Sequence, residues 1–434
     1  MSDRASIALV VAAALAIRMA FAWVLPAFQA PDEEAHFRYV AFLGEQRALP
    51  SQPERSLGLF ADPMHQAYQP PLAYASLVPV ERAAAAAGAS PRVRLRAMRL
   101  QNALYGALTV LIGSLVAMRL TRRGDPRRLL TAIALAFLPG FVALGAAVNN
   151  DSLANLLAAA LWLTLIPAAG RERSAWRSGL LLGAACLAKL SSLVLAPLLF
   201  VVPLLQNRSD LRGALRFAAI AGAVAVLILL PWMGHNLAQY GSPLAIGVGS
   251  IPFDWLESVL PGAELEGFTR ARYDNVFFQF WGRFGIANNL TWIGVPIALV
   301  PIAGLAALGW LRRRPRSDAP DAFDAWAPAW LLAAALATLG LVQFSLSYVG
   351  AWQGRYLYSV MLPWALLFAG GISRLLRFDA SADTARPNRA SIHARRTIVA
   401  LALALAAVNV IVLVKLLAFF AEGPASRWLF FTRL

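Results

Sequence analysis

The chain is poor in charge, poorer still in lysine, and nearly without cysteine. Only 14% of its 434 residues are charged, where a soluble globular domain carries about 25%. That deficit excludes an ordinary water-soluble fold. One cysteine, Cys186, leaves no intrachain disulfide, and no Cys/His spacing fits a zinc site. The four histidines, His36, His65, His235 and His393, are scattered. Of the 39 basic residues only Lys189 and Lys415 are lysines, a bias the sequence does not explain. Heptads, tandem short repeats and low-complexity tracts beyond Ala-rich apolar runs are all missing.

What is present is apolar, at 59% of residues. A hydrocarbon core of ~30 Å takes about 20 apolar residues to cross. The runs predict an all-α integral membrane protein of about eleven spans, within a range of ten to thirteen. They are Ser6–Leu25, Gln101–Arg119, Leu129–Val148, Leu153–Ala168, Ser178–Ala188, Ser192–Leu205, Leu215–Trp232, Leu290–Trp310, Trp326–Tyr348, Ser359–Leu376 and Thr397–Phe420. The first is too long for a signal-peptide core, and Phe28 fits a cleavage site ending at Ala30 poorly, so it reads as a retained helix. The fifth and sixth are short and predict a hairpin with Lys189 near its tip.

A net charge of +16 would point to nucleic acid in a soluble protein. Here the arginines gather in short loops, which excludes that partner in favour of an orientation signal. Clusters at Arg122–Arg128, Arg171–Arg177, Arg208–Arg216, Arg312–Arg316 and Arg374–Arg396 fall on one side if eleven spans alternate. By the positive-inside rule that side is cytoplasmic, with the N-terminus inside. Two long loops, Pro26–Leu100 and Met233–Asn289, then lie outside. The chain divides into a transmembrane module over 1–232 that carries the first loop, a second loop over 233–289, and helices over 290–434 without a separate soluble domain. In the second loop Val276, Phe277, Phe280, Trp281 and Phe284 repeat at helical spacing, predicting an amphipathic helix on the membrane surface. The stretch Asp379–Arg396 reads as a disordered cytoplasmic loop.

Chemistry concentrates at the outer ends of the spans. Pro31-Asp32-Glu33-Glu34-Ala35-His36-Phe37-Arg38 opens a helix with three acids, where carboxylates favour the positive end of the dipole. Asp32 and His36 share a face, as do Glu34 and Arg38. The bland reading is a capped, solvated helix end; the functional one is a desolvated carboxylate suited to general-base work. Asn149-Asn150-Asp151-Ser152 fills a short outer turn, where Asn150 or Asp151 either caps the next helix or brings a second acid to the cleft. Paired carboxylates could activate an acceptor hydroxyl, or hold Mg2+ or Mn2+ through Asp32 and Asp151. Gln69-Pro70-Pro71-Leu72 is a rigid turn in either reading. In Gln353-Gly354-Arg355-Tyr356 the arginine offers a planar fork for phosphate or else snorkels beside a tyrosine anchor. Lys189 is an intramembrane charge unless it sits at an exposed tip. Arg18 is an interior charge or snorkels; Lys415 snorkels.

Taken in order, these pieces resemble the GT-C superfamily of multi-pass glycosyltransferases. The likeness is greatest to a bacterial family of membrane proteins without an assigned activity, related to the mannosyl and aminoarabinosyl transferases that use polyprenyl-phosphate sugars. The matching segments are Pro31–His36, Gln69–Leu72, Asn150–Ser152, Leu187–Leu190, Asn236–Gly241 and Gln353–Tyr356, spread over nearly the whole chain. The resemblance implies a bacterial inner-membrane enzyme that moves a sugar, with inversion, from a polyprenyl-phosphate donor to a glycan, lipid or protein acceptor on the outer face. It implies Asp32 as the base, with Glu33 the nearest substitute, and Asp151 as the second acid. Arg355 and Lys189 would balance the donor phosphate, with Gln353, Tyr356, His36 and Gln69 beside them. The sequence departs from the pattern in having no Asp-x-Asp metal motif after the first span and no C-terminal soluble domain. The alternative is a transporter or lipid-linked-sugar flippase, which calls for broken or polar midplane helices in two related halves. No such repeat is found. A non-catalytic envelope scaffold would leave the outer acids and arginines without a role.

Overall fold

The computed structural model describes residues 3–56, 58–166, 174–259, 262, 275–284, 290–312, 321–349, 351–376 and 389–422. Helix α1 spans Asp3–Val24, and the first outer loop folds into α2 (Glu33–Gln46) and α3 (Leu72–Ala86). There follow α4 (Pro91–Leu120), α5 (Pro126–Phe137), α6 (Pro139–Leu144), α7 (Asp151–Leu165), α8 (Ala175–Ala188), α9 (Leu198–Gln206) and α10 (Leu211–Tyr240). The second outer loop holds α11 (Phe253–Val259) and a short helix α12 over 275–282. The bundle closes with α13 (Gly294–Leu311), α14 (Ala327–Ser347), α15 (Met361–Leu375) and α16 (Arg389–Glu422). Among the described residues seven helices are long and apolar enough to cross a membrane, and shorter apolar ones lie over 151–165, 175–188 and 190–206.

Three elements differ from the sequence expectation, each for a physical reason. Helix α4 starts at Pro91, ten residues before the predicted Gln101, because Arg94 and Arg99 in its first turns are consumed by buried carboxylates. Helix α10 runs past Trp232 to Tyr240, where Gly241 at φ 67° ends it in the left-handed cap that glycine adopts without penalty. The third predicted span is not continuous: it breaks between α5 and α6 at Pro139. Proline has no N–H for the Leu135 carbonyl, and its ring disrupts the ladder behind it. Buried carbonyls left this way cost about 1–3 kcal/mol each, and two neighbouring helices supply the missing donors. Arg18 of α1 donates to Leu135 O at 3.2 Å and Ala136 O at 3.3 Å, while Asn409 of α16 donates to Phe137 O at 2.9 Å. Arg18 is thus an interior charge, fully enclosed. Gly106 and Gly145 leave the room its guanidinium fills.

The outer segments are tied together by small pieces of sheet. Strand β1 (Ile251–Pro252) lies antiparallel to β4 (Tyr348–Val349), and β2 (Arg283–Phe284) to β3 (Leu290–Thr291). Leu59, Ile251, Leu256, Val349 and Trp352 pack as one apolar cluster, so the two outer loops share a core. Helix α12 is present where the aromatic spacing placed it, but it does not simply lie on the surface. Its Gln279 and Phe280 face inward onto Gly354 and Tyr358, while Phe277 remains exposed; Phe284 falls in β2. Arginines at the far end from this cap form their own network, Arg127 with Asp125 and Asp321, and Arg374 with Asp324. The predicted arginine clusters at Arg171–Arg173, Arg313–Arg316, Arg377 and Arg386, and most of Asp379–Arg396, lie outside the described residues.

Candidate active site

The site forms where the first outer loop folds back over the bundle. Between α1 and α2 the backbone turns through two left-handed residues, Phe28 at φ 61° and Asp32 at φ 58°. For L residues that region is costly, least so for Asp and Asn. Glu33 holds the turn in shape. Its carboxylate accepts from Phe28 N at 3.1 Å, Val148 N at 2.9 Å, and Arg99 Nε and Nη2 at 2.8 and 2.5 Å. Arg99 also donates to the carbonyls of Ala22, Leu25 and Pro26, which α1 leaves open at its end. Glu33 is therefore a fully buried strut with its lone pairs taken. It is corrected here from a substitute base to a structural residue, because a carboxylate so saturated has no room for an acceptor hydroxyl.

Asp32, by contrast, is half-buried and turned toward Arg355 and His65. Its Oδ2 pairs with Arg355 Nη2, and its Oδ1 lies 3.2 Å from His65 Nε2. Burial alone would raise its pKa, but Arg355 first and His65 second outweigh that and hold the carboxyl well below the usual range. Arg355 comes from the 3-10 turn Gly354–Val360, which leads into α15. Gly354 allows this approach: a Cβ there would collide with the α12 backbone at Val276 and Phe280. The Arg355 backbone N–H donates to Gln279 Oε1 at 3.2 Å, and Tyr358 donates its hydroxyl to the Phe280 carbonyl at 2.9 Å. The guanidinium is 5% exposed, yet Nε and Nη1 meet no acceptor among the described residues.

Asp151 and Lys189 make a second ion pair, through Asp151 Oδ1. Lys189 is not an exposed hairpin tip. Helix α8 ends at Ala188, the chain extends at Lys189, and a 3-10 turn over Leu190–Leu195 leads toward α9, leaving the ammonium 7% exposed. Asn150 occupies the N-cap position of α7 but makes no side-chain capping bond, and Asp151 is the first helical residue. Asn149 Oδ1 accepts from Ser152 N at 2.9 Å and Ser152 Oγ at 3.1 Å, which frees Asp151 for Lys189. The second oxygen of Asp151, Oδ2, has no partner among the described residues. Tyr356 sits between the two pairs, its ring centre 4.9 Å from Lys189 Nζ and 5.9 Å from Arg355 Cζ.

The remaining predicted residues support this centre. Gln69 joins the two outer turns, accepting from Asn150 Nδ2 at 3.2 Å and donating to the Tyr68 hydroxyl at 2.8 Å. His36 lies enclosed beneath Asp32, its Nδ1 2.9 Å from the Tyr74 hydroxyl and its ring stacked on that tyrosine. Burial pushes its pKa down to about 3, which favours the uncharged ring at neutral pH. Gln353 caps the 3-10 turn that carries Arg355. The sequence reading passed over Arg99, His65 and Tyr68. Arg99 carried a signal, as an arginine two turns into α4 that must meet an acid if buried. His65 and Tyr68 carried none, being polar residues in an irregular loop. Nor are Asp32 and Asp151 arranged as open ligands for Mg2+ or Mn2+. Each faces a protein cation, and the described residues include no group of three His, Cys, Asp or Glu side chains suited to a metal.

Two clefts flank α12. One is almost wholly apolar, lined by Phe137, Phe280, Trp281, Leu299, Met361 and Phe368, beside the break at Pro139. The other is lined by Gln29, Pro31, Gln279, Arg283, Arg355 and Tyr358. A greasy groove and a cationic pocket thus meet across one short helix.

Comparison with known proteins bears on the fold that carries this arrangement. A family model described as dolichyl-phosphate-mannose-protein mannosyltransferase matches residues 92–235. That stretch contains Asp151 and Lys189. No curated protein matches the chain in sequence. Among solved structures, ArnT from Cupriavidus metallidurans bound to undecaprenyl phosphate is similar at 17% identity and a TM-score of 0.51, covering 96% of this chain and 72% of that one. The oligosaccharyltransferase of Archaeoglobus fulgidus in its apo form is similar at 15% identity and a TM-score of 0.55, covering 98% of this chain and 57% of that one. The complex of AglB from the same organism with an inhibitory peptide and a dolichol-phosphate gives 12% identity and a TM-score of 0.54, over 96% of this chain and 56% of that one. The chain spans little more than half of the oligosaccharyltransferase. At such identities the likeness carries the fold, and that fold is the GT-C fold of multi-pass membrane glycosyltransferases. The multi-pass helical fold read from the sequence is borne out.

Proposed function

We propose that this protein is a membrane glycosyltransferase that moves a sugar from a polyprenyl-phosphate-linked donor to an acceptor glycan, lipid or protein. One observation carries the reading: a buried arginine fork, Arg355, whose Nε and Nη1 are open, pairs with the Asp32 carboxylate and lines a pocket that one short helix separates from an apolar groove. A planar fork matches a phosphate in two parallel hydrogen bonds. The groove suits a prenyl chain, and Lys189 adds a second cation. Undecaprenyl phosphate and dolichol-phosphate bound in structures of the same fold support a donor of this kind.

The chemistry follows as one in-line displacement. The acceptor oxygen attacks the anomeric carbon, the bond from that carbon to the phosphate oxygen breaks, and its electron pair leaves with the lipid phosphate. The acceptor's proton passes to Asp32, and configuration inverts. Asp151 positions the acceptor through its free oxygen. The site faces outward, in a bacterial inner membrane with the N-terminus in the cytoplasm; the arginine network at the opposite end supports that orientation.

The test is Asp32→Asn, which keeps shape but cannot take the proton. With dolichyl-phosphate mannose as donor, turnover falls about 10²–10⁴-fold while undecaprenyl phosphate binds as before. Normal turnover in Asp32→Asn defeats the assignment of the base. Orientation is checked in a Cys186→Ser background: Glu54→Cys should react with a membrane-impermeant thiol reagent on intact cells.

A further inference from the structure

We infer that His65 is a positioning residue of this site: a cationic imidazole that holds Asp32 in register while Arg355 follows the donor's phosphate. The inference rests on the donor reading above and adds a residue which that reading does not use.

The geometry begins with a turn in the first outer loop. His65 N donates to Asp62 O at 3.1 Å, and Asp62 Oδ1 accepts from Met64 N at 2.7 Å, which closes the turn. The imidazole reaches two acceptors. Nδ1 lies 2.7 Å from Asp62 O, and Nε2 lies 3.2 Å from Asp32 Oδ1. A carbonyl and an ionised carboxylate only accept, so both ring nitrogens must donate, and only the imidazolium does that. The residue is 5% exposed, with Phe60 edge-on at 6.2 Å. Four charged or titratable groups face the ring: Asp32 and Asp62 as acids, Arg355 beyond Asp32, and uncharged His36 on α2. Burial favours the neutral ring, but the bond to Asp32 and the field of both acids outweigh it, and the pKa lies above the ordinary imidazole value.

Asp32 therefore carries a cation on each oxygen, which makes it a poor base at rest. The reaction itself changes this balance. A donor phosphodiester holds one negative charge and gains a second as the anomeric carbon–oxygen bond breaks. Arg355, with Nε and Nη1 open, is drawn to the growing charge and loosens from Asp32 Oδ2. That oxygen becomes basic at the moment the acceptor's proton must leave. His65 keeps Oδ1 fixed meanwhile. Once Arg355 has loosened, His65 is the side-chain partner that Asp32 keeps among the described residues.

Two measurements on the full chain in lipid nanodiscs test this. Histidine-selective NMR reads the charge of the ring, with His65 assigned by the signal lost in His65→Gln. Its midpoint should lie above that of free imidazole and fall in Asp32→Asn, which removes the carboxylate that favours the charged ring. Asp62→Asn, which keeps the turn because its amide oxygen still accepts from Met64, should lower it as well. A midpoint at or below the free value overturns the inference. In turnover with dolichyl-phosphate mannose, His65→Gln should lower kcat about tenfold, within the range of general-base effects, and leave the donor KM unchanged. Wild-type kcat should decline on the alkaline side toward the His65→Gln level, and the variant should show no such decline. A wild-type kcat in His65→Gln, or an alkaline decline that persists there, overturns it. A wild-type chain that turns over no lipid-phosphate sugar sinks the transferase reading and this inference together, while a failure confined to His65→Gln leaves the transferase reading standing.

Discussion

Two arginines at the same end of the bundle meet two carboxylates that are neighbours in sequence, and they do opposite things. Arg99 spends all five of its N–H groups: two on Glu33 and three on the carbonyls of Ala22, Leu25 and Pro26. Arg355 is as deeply buried, yet its side chain pairs with Asp32 through Nη2 alone and leaves Nε and Nη1 open. A buried donor without an acceptor costs about 1–3 kcal/mol, more when charged, so folding alone gives no reason to keep Arg355 this way. A saturated pair holds a loop; an unsaturated one leaves donors open to an anion. In the bundle Arg18 lies between these extremes: Nη1 and Nη2 close the helix break at Pro139, while Nε meets no acceptor among the described residues.

The sharpest way to break this comparison is to remove each arginine. Deleting one partner of a buried ion pair costs about 3–5 kcal/mol because the other charge is stranded. Arg99→Met should therefore lose most of its folded yield, read as the monodisperse fraction on size-exclusion chromatography. Arg355→Met should accumulate like wild type, since His65 still compensates Asp32, but should fail to bind undecaprenyl phosphate. Equal folding losses in both would erase the distinction between strut and site.

A gentler change separates charge from shape. Arg355→Lys keeps a cation but replaces the fork with a point charge. Hydrogen bonds to charged groups contribute about 1.5–3 kcal/mol, so losing one of two should weaken undecaprenyl phosphate binding about tenfold or more. Unchanged affinity, measured by titration in nanodiscs, would return Arg355 to the role of an interfacial anchor.

The divide between strut and site also explains what was legible in the sequence. Apolar length gave the helices, because each span must bury its own backbone hydrogen bonds. It failed at Pro139, where tertiary donors from α1 and α16 rescue a break that hydropathy alone reads through. It failed again at α4, whose arginines look solvated until Glu33 and Glu81 are placed against them. Asp32, Asp151, Lys189 and Arg355 stood out as charges at span ends, and the fold brings them together. Sequence could not tell Asp32 from Glu33. That difference lies in the left-handed turn at Phe28 and Asp32, which sends one carboxylate outward and the next into the core. His65 was invisible because its role depends on a partner 33 residues away.

A pH series probes the floor beneath Asp32. His36 is buried in the neutral form, its pKa pushed down to about 3 chiefly by burial. The unfolded chain takes up a proton near the ordinary imidazole value of about 6.5. Between these limits the unfolded state binds more protons, so stability rises with pH and is lost as pH falls through that window. Thermal unfolding in nanodiscs should therefore show a midpoint that drops from pH 7 to pH 4. His36→Gln should flatten part of that slope. A slope unchanged in the variant would assign the acid sensitivity to other groups.

The smallest expected effect belongs to Glu34, the third acid of the same cluster. It faces outward and pairs with Arg38 one turn along α2, at 2.8 Å, with both side chains partly exposed. An exposed i,i+4 pair contributes about 0.3–0.5 kcal/mol, and a carboxylate in the first helical turn adds a similar amount through the dipole. Glu34→Gln should thus shift the unfolding midpoint by a degree or so at most, and salt should mask even that. Turnover and undecaprenyl phosphate affinity should match wild type. Three adjacent acids would then show three outcomes: loss of chemistry at Asp32, loss of fold at Glu33, and almost nothing at Glu34. If Glu34→Gln instead cost turnover on the scale expected for Asp32→Asn, the outward face of α2 would belong to the acceptor's path. The boundary between site and scaffold would then have to be drawn one residue further along the helix.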